Sequence, residues 1–125
     1  LDVVGSALAA WDAPGVKELR SILSEWGQGP SRVWVGGERL SPPAATLVNS
    51  SMAHALEYDD LHCELPIHSG VIMVPAVLAV ADANPNITGA DAGTASSIRA
   101  SRICAVRTSE CFVLAATSFL DPPDL

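Results

Sequence analysis

Basic residues are scarce in this chain. Seven Lys plus Arg stand against fourteen Asp plus Glu, for a net charge of −7, and the cations form no stripe. Nucleic acid is therefore excluded as a partner, because neutralising phosphates needs clustered positive charge. Cysteine is sparse too: Cys63, Cys104 and Cys111 are odd in number and show no C-x-x-C spacing. That argues against a disulfide framework or a structural zinc site and favours an intracellular location, cytoplasmic or mitochondrial. Aromatics are only 5% of residues, few for a β-sandwich core. No stretch reaches the ~20 consecutive apolar residues of a membrane span, so no membrane partner is expected. No signal peptide is visible. The chain opens inside an apolar pattern, Leu1-Asp2-Val3-Val4-Gly5-Ser6-Ala7-Leu8, as if the start of a helix were missing.

What is present is a chain of 125 residues, 49% hydrophobic and rich in Ala and Val. It suffices for one domain of close-packed helices with a modest core. Leu1, Val4 and Leu8 fall on one face of a first helix. Pro14 suits the first turn of a second, with Val16, Leu19, Ile22, Leu23 and Trp26 as its apolar face and Gly27 as its stop. Arg32-Val33-Trp34-Val35 reads as a short strand, Gly36-Gly37 as a turn and Glu38-Arg39-Leu40 as the return. Ser41 followed by Pro42-Pro43 predicts a capped helix start, continuing to about Leu56 with Ala45, Val48, Met52 and Leu56 aligned. Ser69-Gly70 opens a helix that is apolar nearly all round, hence central, with Pro75 either kinking it or marking its true first turn. Thr88 with Asp91 three residues on predicts a capped start to another. The expected fold is mainly α with a short β-hairpin.

The chemistry gathers in one window, His54-Ala-Leu-Glu-Tyr-Asp-Asp-Leu-His-Cys-Glu-Leu-Pro-Ile-His68. It holds all three histidines, His54, His62 and His68, with Glu57, Asp59, Asp60 and Glu64. Three readings compete. The window can be a solvated acidic loop. It can be a metal site using His62 and His68 with Asp59, Asp60 or Glu64, although the spacing matches no established ligand pattern. Or it can be an acid–base site, because a carboxylate beside a histidine tunes a group that titrates near neutrality. The helix opening at Ser69 adds free amides that favour an anion such as a substrate carboxylate. His54, on a helix, reads as a packing or supporting group. Cys63 and Glu64 read as ordinary loop residues.

The string Asn49-x-x-x-x-His54-Ala55-Leu56-Glu57-Tyr58-Asp59-Asp60-x-His62, then His68-Ser69-Gly70 and Val74-Pro75-Ala76, resembles the MmgE/PrpD family. That family's pattern here is close to N-G-x-x-x-H-A-L-D-[FY]-D-D-T-H, then H-P-S or H-P-G, then V-L-P-A. Leu1-Asp2-x-x-Gly5, Arg39-Leu40-Ser41 and Ala44-Ala45-x-x-x-Asn49 also fit. The resemblance implies a helical domain carrying the active site. It also implies lyase chemistry on small tricarboxylates, of the 2-methylcitrate dehydratase or cis-aconitate decarboxylase type. No metal or organic cofactor is implied, and a homodimer is. Carried over by motif position, His68 and Glu57 are the catalytic pair, and Asp60, His62 and Ser69 contact substrate. Leu61 stands where Thr is common, Ser69 where Pro is common, and Ser50 where Gly is common; these departures bear on substrate identity.

The match covers residues 1–91, which we take as a partial MmgE/PrpD helical domain. Residues 92–125 are an atypical tail rich in Ser, Arg and Cys, expected to come from a shifted frame or an unspliced intron, or to be disordered. The chain is thus expected to be a fragment with little activity by itself. The alternatives are a non-catalytic remnant or a helical interaction module.

Overall fold

The computed structural model describes residues 1–61 and 67–95. Along the chain come α1 (Asp2–Ala9), α2 (Val16–Glu25), β1 (Gln28–Arg32), β2 (Arg39–Leu40), α3 (Pro42–His54) and α4 (Ser69–Ala83). Residues 89–95 form helix α5. The fold is mainly α, with one two-stranded antiparallel sheet.

Helices α3 and α4 form the main packing contact. Helix α3 starts at Pro42-Pro43, whose missing amide donors cost nothing in a first turn. The Ser41 hydroxyl makes no cap bond; Ser41 contributes through its carbonyl, which accepts from the Ala45 amide at 2.9 Å. The buried face is Ala44, Ala45, Val48, Asn49, Met52 and Ala53. Its alanines let neighbouring helices approach closely. The helix ends at His54, so Leu56 lies beyond it and is exposed.

In α4 the buried residues are Val71, Met73, Pro75, Val77 and Ala79. At 3.6 residues per turn, Val71, Pro75 and Ala79 share one side while Met73 and Val77 share the other. Covering on two sides is what a central helix requires, as its all-round apolar sequence implies. Pro75 lies well inside the helix rather than in its first turn. Helix α5 is capped as expected. The Thr88 amide donates to Asp91 Oδ2 at 2.8 Å, and the Asp91 amide donates to Thr88 Oγ1 at 3.2 Å.

Three expectations need correction. Helix α1 buries Val3, Ser6 and Ala7, not the Leu1/Val4/Leu8 face; Leu1 and Leu8 are exposed. Its small side chains, not its largest ones, face the Ala-rich surface of α3. In α2, Val16 and Leu23 are buried while Ile22 and Trp26 face solvent. The first strand is β1, at 28–32, rather than 32–35.

The physical reason for the strand's early end is Asn49. From α3, its Nδ2 donates to the Arg32 carbonyl at 3.0 Å, and its Oδ1 accepts from the Trp34 amide at 3.0 Å. The backbone beyond Arg32 therefore pairs with a helix side chain instead of continuing the ladder. A bond from the Val33 amide to the Glu38 carbonyl, 2.9 Å, closes the connection.

Further polar contacts align α4. Ser31 Oγ donates to the Ala79 carbonyl at 2.5 Å. Asp82 accepts from the Arg32 amide at 2.9 Å and from its guanidinium at 2.6 Å. The guanidinium bonds hold the Asp82 carboxyl below its usual range, outweighing partial burial. With β1 holding the end of α4, its start is set against the end of α3.

Asn49 is 1% exposed. Asn49→Ala should leave the part-buried Trp34 amide and Arg32 carbonyl without their partner and cost about 0.5–1.5 kcal/mol. Urea unfolding of the two proteins checks this; an unchanged midpoint would show that the bonds carry no net stability.

Candidate active site

Helix α3 delivers His54 at its last position, and the chain then turns sharply. Glu57 adopts φ +52°, a left-handed conformation that an L side chain enters at a cost of roughly 1–2 kcal/mol. Its amide donates to the His54 carbonyl at 3.0 Å. Two residues later Asp59 is buried, with its side chain 0% exposed. His68 stands at the N-terminal cap of α4.

These elements converge on one carboxylate. His68 Nδ1 lies 2.7 Å from Asp59 Oδ2. His54 Nδ1 lies 3.2 Å from both oxygens. The two imidazole rings meet edge to face, centroids 4.7 Å apart and planes at 66°. Burial works against charge on Asp59, but bonds from His54, from its own backbone amide and from His68 outweigh it and hold the carboxyl below its usual range. The group is thus a carboxylate at neutral pH. A carboxylate only accepts, so each Nδ1 facing it carries the proton.

Asp60 does a different job. Its oxygens accept from the Gly70 amide at 3.1 and 3.3 Å and from Ser69 Oγ at 3.3 Å. The sequence led to the expectation of a substrate carboxylate at the positive end of α4; in the structure the chain's own Asp60 accepts there. The fit requires glycine. A Cβ on Gly70 would collide with Asp60 Oδ1 and come within 2.8 Å of Val3 Cγ2 in α1.

Of the residues singled out from sequence, the fold brings His68, Ser69 and Asp60 together around the start of α4. Glu57 occupies the turn between His54 and Asp59 with an exposed side chain, and among the described contacts it makes no hydrogen bond to His68. His62 lies outside the described residues, as do Cys63 and Glu64. Sequence reasoning missed the part played by Asp59 and placed His54 in a supporting role. In an irregular loop nothing in the spacing tells Asp59 from Asp60, although one is buried and the other is exposed.

The donor atoms of His54, Asp59 and His68 lie within 4.8 Å of one another, close enough to surround a divalent ion. The same geometry is complete as a hydrogen-bonded cluster. Its chemistry is then that of two imidazoles on one buried anion, half-open to solvent at 47% and 29% side-chain exposure.

Comparison with known proteins identifies the family. A sequence profile of the MmgE/PrpD N-terminal domain matches residues 1–102. The chain belongs to the MmgE/PrpD family. This MmgE/PrpD chain is 38% identical over 79 residues to a cis-aconitate decarboxylase of Aspergillus terreus, covering 60% of the chain and 16% of that protein. It is 29% identical over 83 residues to the cis-aconitate decarboxylase-like protein oryM of Aspergillus oryzae, covering 66% of the chain and 17% of that protein. The chain therefore spans about a sixth of the length of these curated relatives. No solved structure matches. Among the described residues no helix is long and apolar enough to cross a membrane.

Two outcomes follow for stability. Gly70→Ala should destabilise the protein by about 1–3 kcal/mol, the usual cost of overpacking, and thermal unfolding measures it. Because the Asp59 carboxyl is held low in the folded state, its contribution is present above the unfolded value near pH 4 and is lost as pH falls through the folded value. Acid titration of unfolding should therefore be shallower in Asp59→Asn than in the parent protein; equal slopes would remove Asp59 from the acid response.

Proposed function

We propose that this MmgE/PrpD segment is part of a lyase that acts on a small tricarboxylate by proton transfer at a carbon next to a carboxylate. The observation that carries the reading is His68, anchored through Nδ1 at 2.7 Å to the buried Asp59 carboxylate at the mouth of α4. The other ring nitrogen is left to exchange a proton with substrate. The cis-aconitate decarboxylase relatives favour the same chemistry.

In a dehydration, the base takes the proton from carbon, the electron pair forms the double bond and hydroxide leaves. In a decarboxylation, carbon dioxide leaves with the carbon–carbon bond broken, and a proton is delivered to carbon. Both steps need a group that cycles one proton, which a histidine held by a carboxylate supplies. His68 takes this role in the proposal, with Glu57, exposed in the neighbouring turn, contacting or orienting substrate. Asp60, His62 and Ser69 complete the substrate-binding set, and the intact enzyme acts as a homodimer without metal or organic cofactor. Asp60 and Ser69 bond to each other at the start of α4, one residue from His68.

A second reading is favoured by the convergence of His54, Asp59 and His68: a divalent cation held among them. One experiment separates the two. Full-length enzyme carrying this segment is assayed with cis-aconitate, citrate and 2-methylcitrate, before and after chelation and dialysis. The acid–base reading expects turnover that survives chelation and falls about 10²–10⁴-fold in His68→Gln. Turnover lost on chelation and restored by metal supports the cation; an active His68→Gln enzyme rejects the acid–base assignment.

A further inference from the structure

The contact pattern around Asp59 reaches past a single base. Both histidines approach the carboxylate with the same ring atom. His68 uses Nδ1 at 2.7 Å and His54 uses Nδ1 at 3.2 Å. They come from separate elements, the end of α3 and the cap of α4, and their rings touch edge to face at 4.7 Å. Both are reachable from solvent, while the carboxylate between them is sealed.

We infer that Asp59 is a positioning residue that holds His54 and His68 together in the Nδ1–H tautomer, so that the pair presents two unprotonated Nε2 atoms to one substrate, with His54 as the second base. The part concerning reaction rests on the lyase reading above; the tautomer does not.

The argument is stereochemical. A neutral imidazole carries its proton on one nitrogen and a lone pair on the other. Donation from Nδ1 to a fixed anion selects the first and frees the second, which points away across the ring. In water the opposite tautomer dominates for free histidine side chains, so the fold must impose this one. A carboxylate with both oxygens facing imidazoles can impose it on two rings at once. The arrangement serves a dehydration because that reaction has two proton events, removal of a proton from carbon and protonation of the leaving hydroxide; in a decarboxylation the pair has one, delivery of a proton to carbon. Two imidazoles in contact let one accept a proton at its bare Nε2 while the other, having first taken a proton at Nε2 from solvent, donates it. No oxidant, metal or further co-reactant is required.

This inference gives the buried aspartate and the helix-end histidine work that a packing role does not explain. A packing histidine needs no particular tautomer. A solvated acidic loop would leave Asp59 exposed like its neighbour Asp60.

The test begins with nitrogen-15 NMR of the imidazoles in the 125-residue chain at a pH where the rings are neutral. The expected spectrum has His54 and His68 protonated at Nδ1 with Nε2 bare. In Asp59→Asn both should shift toward the Nε2–H form. In Asp82→Asn, near the far end of α4, they should not. Finding Nε2–H in the parent chain, or no change on Asp59→Asn, overturns the positioning role without reference to activity. The kinetic arm uses the full-length enzyme. His54→Gln should lower kcat by about 10²-fold or more, as expected for loss of a general base, with KM little moved. An unchanged kcat removes His54 as second base even if the tautomer is as expected. Absence of turnover in the parent enzyme would reject the lyase reading and, with it, the second-base role, while the NMR result still decides the tautomer.

Discussion

Asp59 is a charge with no access to water, and its two imidazole partners are what make that charge tolerable. An isolated buried carboxylate would be costly enough to take up a proton instead. Here two ring N–H groups and a backbone amide satisfy it, and it stays ionised. Every element of the site is arranged around that requirement. Helix α3 must stop at His54, the chain must reverse through a left-handed Glu57, and α4 must begin at His68. The adjacent Asp60 closes the same corner from the other side by holding the first amides of α4, which only a glycine at position 70 allows.

The corner is set by contacts some distance from it. Most of the core is Ala, Val and Leu, whose packing is strong but tolerant of sliding. Alignment comes from polar side chains at the joints, Asn49 and Ser31 buried and Asp82 partly so. Asn49 joins α3 to the backbone after β1, Ser31 joins β1 to α4, and Asp82 grips Arg32. Such bonds contribute little each to net stability, about 0.5–1.5 kcal/mol. Leaving one unmade costs more, so a register error between α3 and α4 is penalised. The histidines ride on those two helices and inherit the accuracy.

Family membership gives this corner a chemical context, and its charge sets a condition on the proposed substrate. Glu57, Asp59 and Asp60 make it acidic, whereas a tricarboxylate is an anion. Among the described residues, Arg20 pairs with Glu38, Arg32 with Asp82, and Arg39 reaches the Pro30 carbonyl. Lys17, on α2, is exposed, and no described hydrogen bond or ion pair brings any of these four cations to the corner. What the segment offers is proton chemistry on a rigid anchor.

The helical class, the start of α3 at Pro42, the start of α4 at Ser69 and the Thr88–Asp91 cap were all legible in the chain, because each depends on neighbours a few residues apart. So was the concentration of titratable groups between 54 and 68, and the motif that tied it to a family. Tertiary structure decided the rest. Which face of α1 is buried depended on the small-residue surface of α3, and where β1 ends depended on Asn49 reaching from a helix. The choice of Asp59 over Glu57 as the acid against His68 depended on a loop conformation with no period to read. Local spacing specifies helices and their caps, but which of several carboxylates is enclosed is settled only when separate elements close over it.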